Sequence, residues 1–258
     1  MSLIKTIAVF TVLVFAMITL IPIGLVIFIL SVVGMKRLMS LLIYKIAQGW
    51  ALLIIKCSGC TLTVSGRENI PQKGGVCFVS NHVGIFDIIL ALGLIGRPFG
   101  FIAKKELAFI PFLNIWIWLL GGLFIDRIKI RKAVKTINSG VQRLKAGGCM
   151  LIFPEGTRSK GSGLNPFKPG SLKLATQAGA PIIPVAIAGS YDAFEKNYRV
   201  QSVPVQVTFG KPIDTAGLSA EYRKQIGERI HDEIAGALGL PKNAEENSPQ
   251  PEMEKTRG

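Results

Sequence analysis

Two histidines occur in the 258-residue chain, and one of them opens toward an aspartate five positions on, in Asn81-His82-Val83-Gly84-Ile85-Phe86-Asp87. An imidazole with a carboxylate partner is a general-base pair, because the carboxylate fixes the tautomer and stabilises the imidazolium once a proton is taken. The spacing limits how the two can meet. On a straight helix five residues turn roughly 500°, which leaves the side chains about 140° apart. Contact therefore needs His82 in a loop and Asp87 in the first turn of the next helix, with Gly84 letting the chain fold back. Taken alone, the segment reads equally well as a satisfied histidine in a turn beside a helix-start aspartate.

Further clusters lie at or after the places where strand-like runs end, where ligands gather in open α/β sheets. Gly121-Gly122-Leu123-Phe124-Ile125-Asp126-Arg127 puts an arginine just after one strand, and Phe153-Pro154-Glu155-Gly156-Thr157-Arg158-Ser159 does the same after the next. Phe167-Lys168-Pro169-Gly170 then opens a helix, and Ile182-Ile183-Pro184-Val185 starts a later strand. Two arginines at neighbouring strand ends can hold a phosphate bidentately. The plainer alternatives are an exposed Arg127 beside Asp126 and a strand-ending turn of solvated charges at Glu155 to Arg158. His231, between amphipathic-helix charges, reads as a surface histidine. Cys57 and Cys60 form a C-x-x-C with no second pair, and Cys77 and Cys149 sit in strand-like runs as small hydrophobes, so neither a metal nor a disulfide framework is expected. Neither GxxxxGK[ST] nor GxSxG occurs, which removes phosphate-loop ligation and serine-hydrolase chemistry.

The elements that must position these residues are read from periodicity. Strand-like runs are Thr61 to Val64, Gly75 to Ser80, Phe99 to Ala103, Leu123 to Ile125, Met150 to Phe153, Ile182 to Ala188 and Val203 to Phe209. Helical patterns fall between them, at Ile88 to Leu94, at Arg131 to Lys145 with a C-cap at Gly147-Gly148, and at Glu221 to Leu238. The alternation predicts an α/β fold, a single catalytic domain with a mostly parallel central sheet of about seven strands flanked by helices, over 59–240. From Pro241 onward the chain is polar and rich in Pro, Glu and Lys, so 241–258 reads as a disordered tail.

Before residue 59 the composition changes. The chain carries a formal net charge of +14, and its first acidic residue is Glu68; ahead of it stand only Lys5, Lys36, Arg37, Lys45, Lys56 and Arg67. A basic, acid-free, apolar segment suits an anionic membrane surface, at about 1 kcal/mol per cation near the lipid. Nucleic acid is disfavoured as a partner, because the cations flank a greasy segment and no nucleic-acid motif appears. Ile7 to Gly34 is nearly all apolar, interrupted by Pro22 and Gly24. As one helix it would run about 42 Å, more than the ~30 Å hydrocarbon core needs, and no signal-peptide cleavage site is evident. Pro22 and Gly24 favour two helices that dip into one leaflet over a single kinked span. Leu38 to Ile55 reads as an amphipathic helix along the membrane surface, with Tyr44 and Trp50 in an interfacial belt. Residues 1–58 are thus expected to be a membrane-associated helical segment; if it spans, the cations after it place the rest of the chain in the cytoplasm by the positive-inside rule.

The ordered blocks His82-x4-Asp87, Phe124-Ile125-Asp126-Arg127, Phe153-Pro154-Glu155-Gly156-Thr157-Arg158 and Ile182-Ile183-Pro184 resemble the glycerolipid acyltransferase family, most closely its bacterial 1-acyl-sn-glycerol-3-phosphate acyltransferases. The resemblance covers roughly Thr61 to Phe209. It implies that His82 deprotonates the sn-2 hydroxyl of a lysophosphatidic acid, that Asp87 orients it, and that the hydroxyl oxygen attacks acyl-CoA or acyl-acyl carrier protein to give phosphatidic acid. It further implies a substrate-binding set of Glu155, Gly156, Thr157 and Arg158 on the glycerol phosphate, Arg127 as a second cation, and Asn81 bracing the turn. Lys105, or a nearby backbone N–H, is the expected oxyanion donor. No metal or cofactor beyond the acyl donor is implied. The alternatives are another acceptor (glycerol 3-phosphate, a lyso-aminolipid or another lysophospholipid) or a non-catalytic membrane lipid-binding protein. Phe109 to Leu120, with Trp116 and Trp118, is expected to be mainly core, with the option of bordering an acyl groove or pressing into the bilayer.

Overall fold

A computed structural model describes residues 2–30, 36–219 and 221–241. The apolar, β-branched runs form seven strands: β1 Thr61–Ser65, β2 Val76–Ser80, β3 Phe99–Lys104, β4 Leu123–Ile125, β5 Cys149–Ile152, β6 Ile182–Ala188 and β7 Pro204–Phe209. Each lies within a residue of its sequence expectation. They make one sheet in the order β1-β7-β6-β2-β5-β3-β4, parallel throughout except where β7 runs antiparallel to β6.

Both faces of the central strands are covered, which is why they read as continuous hydrophobic runs and not as alternating ones. The period of two still sorts their side chains. Val76 and Phe78 of β2, Leu151 of β5 and Ile183 of β6 face one core, whereas Cys77, Val79, Met150 and Ile182 face the other. The second core is closed by helices α6 Ile130–Lys145, α7 Lys173–Ala178 and α9 Tyr222–Ala237, through residues such as Leu144, Leu174 and Ile230. Helix α6 ends as expected: Gly147, with φ 83°, donates to Leu144 O and Gly148 to Arg143 O. Helix α7 starts three residues past Gly170.

The first core is closed by α4 Phe86–Leu94 and by the N-terminal helices. These are α1 Ser2–Thr19, α2 Ile21–Leu30 and α3 Lys36–Ser58, with the break at Leu20, one residue ahead of α2 and two ahead of Pro22. Val9 of α1 and Tyr44, Ala51 and Ile54 of α3 share the core of Phe78 and Leu90. This corrects the reading of α3 as a surface-lying amphipathic helix. Tyr44 is 1% exposed, donates its hydroxyl to Leu92 O at 3.2 Å and accepts Gly96 N–H at 3.0 Å, so it belongs to no interfacial belt. Gly93 makes the packing possible, because a Cβ there would lie 2.9 Å from Ile55 Cδ1. Leu38–Ser58 is the one helix, among the described residues, long and apolar enough to cross a membrane, yet part of it is buried against the domain.

Two short helices complete the fold, α5 Leu113–Leu119 and α8 Ser190–Ala193. Trp116 is buried but Phe109, Ile110, Phe112 and Trp118 are exposed, so the segment expected to be mainly core is only half core. His231 is a second correction. It is 8% exposed, with its ring edge-on to Phe167 at 5.1 Å, so it is no surface histidine. The tail expected from Pro241 lies, past that residue, outside the described residues, as does the link between α2 and α3.

Candidate active site

Strands β2, β5, β3 and β4 are parallel neighbours, so their carboxyl ends bring the loops at residue 82, residues 155–158, residue 104 and residue 127 to one edge. The β2 loop holds the histidine. His82 Nδ1 meets Asp87 Oδ2 at 2.8 Å, with Asp87 in the first turn of α4 as the spacing required. That same oxygen accepts Val83 N–H at 2.7 Å and Gly84 N–H at 2.9 Å, while Oδ1 accepts the Ser190 hydroxyl at 2.5 Å. Every bond Asp87 makes is as an acceptor, so Nδ1 carries the imidazole proton and Nε2 the lone pair. The ring is stacked on Phe153, centroids 4.1 Å apart. Gly84 serves by its size: it has no positive φ, but a Cβ there would lie 2.5 Å from Glu195 Oε2.

The β5 loop is zipped onto this one. Ser159 N–H donates to His82 O at 2.7 Å and Lys160 N–H to Val83 O at 3.2 Å. Glu155 is buried, and its carboxylate accepts His82 N–H at 2.6 Å and Asn165 N–H at 3.0 Å. Burial raises its pKa, against the pull of those two N–H bonds. Both oxygens are committed to backbone, so Glu155 braces the His82 loop, where the resemblance had put it on the phosphate. Asn81 likewise touches no ligand space: its amide pairs with Ile187 in both directions, at 2.9 and 2.8 Å, tying the end of β2 to β6.

Four cationic side chains, Lys104, Arg127, Arg158 and Lys168, border one cavity of about 1120 Å³ together with His82, Gly156 and Thr157. Arg127 donates to Gly156 O, and burial lowers its pKa, with Glu106 acting the other way. Gly156 has φ 70°, and a Cβ would come 2.9 Å from Lys168 Cε, so the turn favours glycine. Arg158 is paired with Glu195, whose other oxygen accepts Ile85 N–H at 2.5 Å. Lys105 is corrected: its ammonium is 3.1 Å from Asp126 Oδ2 and does not border the cavity, whereas its neighbour Lys104 does. Most of the rest of the wall is apolar. Phe10 and Val14 of α1, Ala47, Trp50 and Ile54 of α3, and Ile89 of α4 are part of it.

Ser190 and Glu195 have no signal in the sequence as site residues, whereas Lys168 lies in the Phe167–Gly170 cluster singled out there without a role of its own. Ser190 and Glu195 follow β6, and only the adjacency of β6 to β2 brings them to the His82 loop. Lys168 carried a usable signal, a cation in a Pro/Gly turn before a helix. Among the described residues no group of three or more His, Cys, Asp or Glu is placed to hold a metal ion.

Residues 61–188 match the Acyltransferase family model, which spans β1 to the end of β6 and contains every loop of this site up to Ala188. The 1-acyl-sn-glycerol-3-phosphate acyltransferase of Borreliella burgdorferi is 33% identical over 182 residues, 70% of this chain and 73% of the relative. That of Escherichia coli is 38% identical over 154 residues, 59% of this chain and 62% of the relative. The chain therefore spans about three fifths of some curated relatives and nearly three quarters of others. In structure it is similar to the 1-acyl-sn-glycerophosphate acyltransferase PlsC of Thermotoga maritima, with a TM-score of 0.75 and 27% identity over 93% of this chain and 99% of that one. With His82, paired to Asp87, on the wall of a largely apolar cavity inside the matched residues, and with 33% identity over 73% of the Borreliella burgdorferi relative, this protein is a member of the acyltransferase family.

Proposed function

We propose that this enzyme transfers an acyl chain from a thioester, acyl-CoA or acyl-acyl carrier protein, to the sn-2 hydroxyl of 1-acyl-sn-glycerol 3-phosphate, giving phosphatidic acid. One observation carries the reading. His82, its Nδ1 fixed by Asp87, borders the same cavity as Arg127 and Arg158 and a long apolar wall. A base, cations for a phosphate and a trench for hydrocarbon are what that acceptor requires. The relatives of Borreliella burgdorferi and Escherichia coli bear the name of the same reaction.

The acceptor hydroxyl gives its proton to His82 Nε2 as its oxygen bonds to the thioester carbonyl carbon. Asp87 stabilises the imidazolium. The tetrahedral intermediate then collapses, the C–S bond breaks, and the imidazolium returns its proton to the leaving thiolate. Charge on the intermediate's oxygen falls to Lys104 or a backbone N–H of the same edge, in place of Lys105. Arg127, Arg158 and Lys168 bind the phosphate, with Gly156 and Thr157 shaping the turn. Arg158 must then exchange Glu195 for the phosphate oxygens. Every proton and electron pair in this sequence is supplied by the chain and its two substrates, so no further cofactor enters it.

The acceptor is a membrane lipid, and the acid-free N-terminal helices work at the membrane. Their exposed side chains, Leu3, Ile4, Ile7, Phe15 and Ile29 among them, fit insertion into one leaflet. By their flanking cations the catalytic edge lies at the cytoplasmic face of the inner membrane. The test is an assay of purified enzyme with acyl-CoA and a panel of lysolipids. Lysophosphatidic acid should be acylated, and His82→Ala should lower turnover by about 10²–10⁴, the usual weight of a general base. Near wild-type turnover in folded His82→Ala would sink the mechanism. Product only from acceptors lacking phosphate would replace the acceptor.

A further inference from the structure

Between Asp126 and Glu155 the chain carries seven cations and no acid. The first of them cluster where β4 turns into α6. Lys129, Arg131, Lys132 and Lys135 are all exposed there. Set among them are two isoleucines that the fold leaves almost bare, Ile128 at 80% and Ile130 at 77% exposure. Burying such a side chain stabilises a protein by about 1.5–3 kcal/mol, and this corner forgoes that twice within three residues. Val134, one helical turn after Ile130 and on the same face, is exposed as well. The buried residues of α6, Gly140, Val141 and Leu144, all lie in its second half. Its first half thus presents an apolar stripe edged with cations, and packs little of it into the domain.

We infer that this corner, Ile128 to Lys135, is a second membrane contact that takes an anionic lipid surface. Charge is the first reason. Asp126, the acid next to it in sequence, is matched by Lys105 at 3.1 Å, and Glu106 beside Arg127 is the one other acid acting on it, so the corner keeps a clear excess of positive charge. Continuity is the second. The Lys105–Asp126 pair ties the corner to the segment that carries Phe109, 82% exposed, and the exposed Ile110 and Phe112. Ile110 and Phe112 border the active-site cavity, as do Arg127, Ala133 and Ile137 on the corner's own side. Helix α1 borders that cavity from the β6 side, where Phe10 lies 5.0 Å from Phe194, while β4 is the strand at the far edge of the sheet. Exposed apolar side chains therefore flank the cavity from two directions. A lipid surface satisfies both sides at once, and its anionic headgroups meet the cations. The role of this corner rests on the reading of the chain as an acyltransferase that works at a membrane, and extends it from the N-terminal helices to the catalytic domain.

The test uses the full chain with two variants, Ile128→Ser/Ile130→Ser and Lys129→Gln/Arg131→Gln/Lys132→Gln. Binding is measured to vesicles of phosphatidylcholine with and without phosphatidylglycerol. Turnover is measured on acceptor embedded in the vesicles and on a short-chain, water-soluble acceptor. Each cation removed should weaken binding to the anionic vesicles about fivefold, hence about a hundredfold for the three. Binding of the cation variant to phosphatidylcholine alone should change little. The isoleucine variant should bind both vesicles more weakly. Both variants should lose turnover on embedded acceptor and keep it on the soluble one. Unchanged vesicle binding in both variants overturns the proposal. If binding is unchanged and turnover falls only with an acyl carrier protein as donor, the corner docks an acidic protein and the membrane contact is equally overturned. A wild-type enzyme that acylates neither acceptor refutes the acyltransferase reading instead, while the vesicle measurements still decide the corner.

Discussion

Asp87 is fully buried and receives four hydrogen bonds, from an imidazole, two backbone N–H groups and a serine hydroxyl. A buried carboxylate is tolerable only when so satisfied. The same bonds fix where its Oδ2 stands, and through it the direction of His82 Nε2. Ser190 is the one of these donors that comes from a distant part of the chain. Removing it leaves Asp87 three donors and one uncompensated lone pair, a loss of about 1.5–3 kcal/mol for a bond to a charged group. Because the bond acts on orientation and touches no substrate, Ser190→Ala should lower kcat about tenfold or more and leave the KM for acceptor unchanged. Ser190→Thr should restore most of kcat. A Ser190→Ala enzyme that changes only in thermal stability would reduce Ser190 to a packing residue. At this scale the sequence yields His82 and Asp87 because one short segment holds both and its geometry can be worked out in advance. It does not yield Ser190 or Glu195. Their partners are chosen by β6 lying beside β2, a consequence of the whole sheet order that no local pattern encodes.

Loops and strands act as units here. The turn after β5 holds the turn after β2 by two backbone bonds and by Glu155, whose buried carboxylate has a raised pKa. The sign follows from linkage. A carboxyl whose pKa is higher in the folded chain than in the unfolded one binds its proton more tightly when folded. The stability this adds is complete below the ordinary glutamate pKa and is lost as pH rises through the raised one. Thermal unfolding across the acid range should therefore show wild type losing stability relative to Glu155→Gln as pH climbs past the usual carboxylate region. Parallel profiles for the two would mean that the two N–H bonds offset burial in full. Strands were legible because β-branched runs bounded by Gly and Pro fit little else, and β2, β5 and β6 are buried on both faces as unbroken apolar runs imply. Helix α3 was misread for a physical reason. Its apolar face is the same whether the partner is lipid or α4, and only the close approach at Gly93 and the Tyr44 bonds to Leu92 and Gly96 decide between them.

Because α3 packs on the sheet, the N-terminal helices do more than tether a soluble domain: they complete the wall of the active-site cavity. Ala47, Trp50 and Ile54 recur on one face of α3, at helical spacing, and all three border it. At about 1120 Å³ the cavity is slightly larger than ordinary ligand sites, and its wall joins this face of α3 to the base that must act on the acyl transfer. The volume along α3 should thus govern which chain lengths are handled. Ala47→Leu adds branched bulk to the wall and should shift the preference toward shorter acyl chains. Trp50→Ala, one turn along the same face, removes bulk and should shift it toward longer ones. The two shifts oppose each other, whereas general destabilisation would depress every chain length alike, so competition assays with a mixture of acyl donors separate them. If both variants lose activity evenly across chain lengths, α3 supports the fold without gauging the hydrocarbon, and the gauge must lie on the α1 or α4 side of the cavity.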